Sequence, residues 1–239
     1  MKNEFQEYVI DMFMSTICMC KEKKFSKKVF LSHGSKQTLK AGLITHYPSM
    51  YKLGESYKNL WQNTNIEFYS PLLMSENAYQ IYINNKGSYM KYKEDNKGKN
   101  EQLLYWEHIT PNEVVWNRIL KVFDDYMADI ISDSNVLKER ITNCFYGHRL
   151  LMITKKEELM LDQTGGRTGK KITAYNNQDL SNVNIAEKRI HCLLTQCDVK
   201  SLRLNGQKFK MSEIIDDNYN FVGLIKDYFT NSSFVIREQ

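Results

Sequence analysis

Apolar positions over residues 3–20 recur with the spacing of an amphipathic helix, and the basic link Lys21-Glu22-Lys23-Lys24 follows. A strand is predicted at about 28–32. It runs into the turn Ser32-His33-Gly34-Ser35, and residues 38–60 read as helical or irregular with a break at Pro48. The apolar period then changes to two. Strands are predicted over 68–74, 78–83, 88–93 and 102–108, with Asn84-Asn85-Lys86-Gly87 as a hairpin turn. Thr110-Pro111-Asn112-Glu113 next supplies an N-cap, a proline at the first helical position and a capping-box glutamate. Val115, Ile119, Val122, Phe123, Tyr126 and Ile130 then share one helical face, and Asp133-Ser134 opens a second helix ending near Gly147.

Alternation returns afterwards. Strands are expected at 149–154, 158–162 and 171–175, the last two separated by a glycine-rich turn over 164–169. Residues 189–204 and 207–211 flank Asn205-Gly206, the strongest hairpin dipeptide in the chain. Residues 213–229 read as partly helical, and 234–237 as a last short strand. This order predicts an α+β fold with antiparallel sheets on both sides of a helical middle segment. Residues 1–165 are expected to form a possible catalytic α+β domain. Residues 166–239 would add a β-hairpin and helix extension packed as one globular unit with it.

Composition narrows the class only slightly. The chain has 239 residues, 42% hydrophobic and 26% charged, which is enough to bury a core and argues against disorder. A net charge of +5 favours an anionic partner, a nucleotide or nucleic acid. No apolar run is long enough to span a bilayer, so no membrane partner is expected. The first residues carry acids where a signal peptide needs a basic region. With five irregularly spaced cysteines, this predicts free thiols and a cytoplasmic location.

The strand-to-turn passage around His33 carries the first chemical reading. His33-Gly34-Ser35-Lys36, followed by Gly42-Leu43, resembles the first motif of the ADP-ribosyltransferase superfamily in its diphtheria-toxin and poly(ADP-ribose) polymerase branch. Phe68-Tyr69-Ser70 with Ser75-Glu76-Asn77-Ala78-Tyr79 is similar to that branch's tyrosine element. Glu157-Glu158-Leu159-Met160-Leu161-Asp162 has the form of its glutamate-bearing strand. The resemblance implies an NAD-dependent transferase acting on a protein or nucleic-acid acceptor. His33 would then orient the ribose, Gly34 and Ser35 would grip the nicotinamide amide, and Tyr69 or Tyr79 would stack on the ring. Glu158 would supply the carboxylate beside the oxocarbenium-like transition state. The alternative reading makes Gly34 a plain turn and the two glutamates strand-edge charges.

A different chemistry is legible near the C-terminus. Asp198 and Lys200, two apart on an expected strand, would project together. This resembles the D-x-K half of the restriction-endonuclease motif, which implies Mg²⁺-dependent nuclease activity with Asp179 or Glu187 as the second acid. The alternative is a solvated ion pair in a hairpin arm. The run Gly165-Gly166-Arg167-Thr168-Gly169-Lys170-Lys171 misses Walker spacing. Arg167, Lys170 and Lys171 would instead touch a phosphate backbone from a basic turn. His191, Cys192 and Cys197 are too few for a structural zinc site. A non-catalytic host-interaction or inhibitor protein is the third class the sequence leaves open.

Overall fold

Helix α1 (Glu4–Glu22) buries Phe5, Val9, Ile10, Phe13, Ile17 and Cys20, the stripe that a period near 3.6 produces. The computed structural model describes residues 4–30, 32, 36–44, 50–52, 55–56, 73–84, 103–163, 185–197, 199–204, 206–218 and 220–230. After α1 comes α2 (Lys27–Phe30), a helix where the sequence predicted a strand at about 28–32, and then a π-helical segment, Lys36–Ile44, reaching into the stretch from 38 read as helical or irregular. A small antiparallel pair follows, β1 (Met50–Lys52) and β2 (Glu55–Ser56).

Strand β3 (Leu73–Ser75) runs directly into α3 (Glu76–Asn84). The strand and hairpin expected over 78–87 are therefore corrected for 78–83. The Ser75 hydroxyl accepts a hydrogen bond from the amide of Ala78 at 3.1 Å, an N-cap that starts a helix. Strand β4 (Leu104–His108) leads to α4 (Asn112–Met127) and α5 (Ser134–Cys144). Both helices lie where the apolar pattern put them, with two differences of detail. Pro111, not Thr110, occupies the cap of α4, because the Thr110 hydroxyl donates to the Tyr146 carbonyl instead, at 3.1 Å. Ile130 is 73% exposed, since α4 has already ended at Met127. Asp133 caps α5 by accepting from the amides of Asn135 and Val136.

Strand β5 (Leu150–Thr154) turns at once into α6 (Lys155–Gln163), and α7 (Ile185–Gln196) precedes β6 (Ser201–Leu204) and β7 (Gln207–Lys210). The strands predicted over 158–162 and 189–196 are thus helical. The hairpin around Gly206 stands as expected, with Gly206 at φ +83°. Helix α8 (Gly223–Thr230) is the last described element.

The fold is α+β, and strands from both sides of the helical segment join one five-stranded sheet. Its order is β4-β5-β3-β6-β7, with β3 and β5 parallel and the other pairs antiparallel. One face, carrying Leu73, Leu151, Ile153, Leu202 and Phe209, packs on Leu161 of α6, Ile190 of α7 and Ile225 of α8. The opposite face, with Met74, Leu104 and Met152, packs on Ala78, Ile81 and Tyr82 of α3. A separate helical core gathers Phe13, Phe30, Ile44, Trp116 and Phe123, where Phe30 stacks on Trp116 and Phe123 at 5.6 and 4.7 Å.

The link from α5 to β5, Phe145 to Arg149, ties the helical core to the sheet. Arg118 of α4 donates to the carbonyls of Cys144 and Tyr146, and the Tyr146 hydroxyl donates to Glu187 of α7. Arg149 reaches the carbonyl of Tyr228 in α8 at 3.0 Å. Between them Gly147, at φ +68°, lies so close to α7 that a Cβ would sit 2.4 Å from the Ala186 Cβ and 3.0 Å from the Thr110 hydroxyl. Only glycine fits that backbone and that gap. Gly147→Ala should therefore cost about 2–4 kcal/mol, from left-handed strain plus overpacking. Urea denaturation measures it; a loss under about 0.5 kcal/mol, the scale of a surface substitution, would contradict the close approach.

Candidate functional site

Adjacent parallel strands β3 and β5 each continue into a helix, and the two helices leave on opposite faces: α3 on one, α6 on the other. In open sheets that divergence creates a crevice beyond the carboxyl ends of the strands, the usual place for a ligand. Here the protein's own carboxylate fills it. Glu157 Oε2 accepts from the Ser75 hydroxyl and the Thr154 amide, both at 2.7 Å, and Oε1 accepts from the Asn77 amide group at 2.9 Å. The Glu157 amide in turn donates to the Thr154 hydroxyl at 3.2 Å. Thr154-Lys155-Lys156-Glu157 is thus a capping box for α6, and the same carboxylate ties down Ser75, the cap of α3. Negative charge at two helix N-termini also suits both helix dipoles. At 2% exposure Glu157 is a bolt, not an open binding group.

Glu158, the carboxylate the transferase resemblance singled out, is one residue further on and equally buried. It lies in the first turn of α6 rather than at the head of a strand, and Lys155 pairs with it. The Lys155 ammonium also sits 4.5 Å over the Tyr105 ring. Tyr79, the candidate for stacking on nicotinamide, has its ring against the Arg203 guanidinium at 4.6 Å. Lys200 is exposed and precedes β6, which begins at Ser201, so Lys200 itself is not in the strand expected to carry it. His33, Gly34, Ser35, Tyr69, Asp179, Asp198, Arg167, Lys170 and Lys171 lie outside the described residues. Among the described residues, no group of three or more His, Cys, Asp or Glu side chains could hold a metal ion.

What the site offers to solvent is a cationic surface on the β6–β7 hairpin. Leu202, Leu204 and Phe209 face the core, so Arg203 and Lys208, paired in register, point the other way with Lys210. Glu76, in the first turn of α3, balances this face. Its carboxylate accepts from Arg203 Nε and Nη2 at 3.0 and 3.1 Å and from Ser201 at 3.2 Å, with Lys208 at 3.5 Å. Hydrogen bonding from Arg203 pulls the Glu76 carboxyl down to about 2. The alternation in Ser201-Leu202-Arg203-Leu204 and Gln207-Lys208-Phe209-Lys210 carries this signal in the sequence, where attention to Asp198 and Lys200 passes over it.

A second polar group lies buried along the α5–β5 link. Glu187 is 1% exposed, accepts from Tyr146, and leaves Oε2 without a hydrogen-bond partner among the described residues. Burial raises its carboxyl above the ordinary range. His148 is 1% exposed, with Nδ1 and Nε2 each 2.8 Å from a carbonyl, those of Thr110 and Ile44. Its ring stacks on His108 at 5.4 Å. Two carbonyl acceptors would favour the imidazolium, yet complete burial and the neighbouring His108 outweigh them and push His148 down to about 3.

The unfolded histidine takes up its proton near 6.5 and the folded one near 3. Its contribution to stability is therefore complete above pH 6.5 and lost as pH falls through that window. Glu76 changes only below 4.5, and Glu187 acts in the opposite sense. Between pH 6.5 and 4.5, wild type should lose more stability than His148→Gln, with a difference approaching about 1.4 kcal/mol per pH unit. Parallel curves for the two proteins would contradict a neutral, buried His148.

No family model matches the chain, and neither a curated protein nor a solved structure matches it.

Proposed function

We propose that the protein binds nucleic acid through the outer face of the β6–β7 hairpin. One observation carries the reading: the hairpin register gathers Arg203, Lys208 and Lys210 on the α3 side of the sheet, opposite the face that packs on α6, α7 and α8, with exposed Lys200 at its foot. Lys208 and Lys210, two residues apart on one strand, lie roughly 7 Å apart at ~3.3 Å per residue. At ~3.4 Å per nucleotide along a strand that span covers about two steps, so the pair can meet two phosphates of one strand that lie two nucleotides apart. Lys208 keeps 49% of its side chain exposed. The net charge of +5 adds a favourable long-range field.

Affinity from such contacts comes from counterion release and weakens steeply with salt. The test is polynucleotide binding across a salt series, with wild type against the triple variant Lys200→Ala, Lys208→Ala, Lys210→Ala. The variant should bind more weakly, with a log–log salt slope shallower by roughly two to three, while its melting temperature stays within about 2 °C. Identical slopes in both proteins, or no binding by wild type at low salt, would remove the reading.

A further inference from the structure

An arginine normally meets nucleic acid with its N–H donors, gripping phosphate or a guanine edge in the guanidinium plane. In Arg203 three of the five N–H donors of that plane are already committed. Nε and Nη2 donate to the two oxygens of Glu76 at 3.0 and 3.1 Å, and Nη1 donates to the Gly206 carbonyl at 2.7 Å. The forked pair and the third bond fix the orientation of the group as well as its position. Tyr79 then lies against it, 4.6 Å from ring centroid to guanidinium carbon. The Tyr79 hydroxyl also packs close to Gly206, where a Cβ would come within 3.3 Å of it. Helix α3, the hairpin turn and β6 therefore hold one flat cation in a fixed attitude, and 22% of the Arg203 side chain still reaches solvent.

We infer that Arg203 on Tyr79 is a stacking platform for an unpaired nucleobase. With three of its five in-plane donors taken and the group held in one orientation, Arg203 offers a ligand its other flat face. The aromatic face of a base stacks on a guanidinium plane, and every base has one, so such a contact is tolerant of sequence. Lys208 and Lys210, on the same side of the hairpin, then take the flanking phosphates. Duplex bases are stacked on one another and cannot present a face. The ligand class is single-stranded nucleic acid. The inference rests on the nucleic-acid reading above and narrows it.

Three probes of similar length, about twelve nucleotides within the usual site size, separate the two ideas: oligothymidylate, an abasic phosphodiester of the same charge, and a duplex. Wild type should bind oligothymidylate about tenfold more tightly than the abasic chain, the scale of one stacked base. Arg203→Lys keeps the charge and loses the plane. It should bring oligothymidylate down to the abasic level with the salt slope unchanged. Equal binding of oligothymidylate and abasic chain by wild type, a comparison needing no variant, overturns the platform while leaving phosphate binding in place. A preference that survives in Arg203→Lys overturns it too. No binding of any probe overturns the nucleic-acid reading and the platform with it.

Discussion

The contact on which the rest depends is the close approach of the Gly147 backbone to Ala186 at the start of α7. The link from Phe145 to Arg149 has to serve two cores at once. Phe145 packs in the helical cluster, while Leu151, two residues beyond the link, belongs to the sheet cluster. Each intervening residue contributes a bond or a close fit: Tyr146 to Glu187, Gly147 against Ala186, His148 between the Ile44 and Thr110 carbonyls with one N–H to donate, Arg149 to Tyr228. Any side chain at 147 would push α7 away and strip Tyr146 and Glu187 of each other. Burying a carboxylate without a donor is far more costly than a single hydrogen bond is worth, so these contacts stand or fall together.

Buried charge elsewhere obeys the same constraint. Glu107 pairs with Arg189 at 2.5 Å, Glu158 with Lys155, and Glu157 is satisfied by a hydroxyl and two N–H groups. These pairs join α7 to β4, brace the first turn of α6, and lock α3 to α6 across the strand ends. Carboxylates that are fully engaged in this way hold elements in place. In the proposed reading the groups that meet a partner are the cations on the hairpin, where Glu76 orients Arg203 and Lys208 remains half exposed.

Long or strongly marked elements were legible in the sequence. The helices α1, α4 and α5, the strands β4 and β5 and the Gly206 hairpin all follow from apolar period, caps and turn residues. The misread segments are α2, α3, α6 and α7. In Ala78-Tyr79-Gln80-Ile81-Tyr82-Ile83 the apolar residues are so dense that both periods fit, and the deciding signal was the cap at Ser75. The capping box Thr154 to Glu157 had the same value for α6. Helix α7 buries Glu187 and Arg189 together with Ile190 and Leu193, so its core-facing side is not uniformly apolar. Its partners, Tyr146 and Glu107, are about forty and eighty residues away, and only the tertiary fold reveals them. The cationic face was readable as alternation in the hairpin. The clamp on Arg203 was not, because Glu76 is distant in sequence and reaches it only through the β3–β6 pairing.

If the α5–β5 link makes one cooperative unit of the helical core and the sheet, amide hydrogen exchange should report it directly. The slowest amides of α4, such as Ile119, should open with the same free energy as those of β5 at Leu151 and α7 at Ile190, all equal to the global value. All three side chains are fully buried, at 0% exposure. A helical core whose amides exchange through a separate opening of distinctly lower free energy would contradict the account.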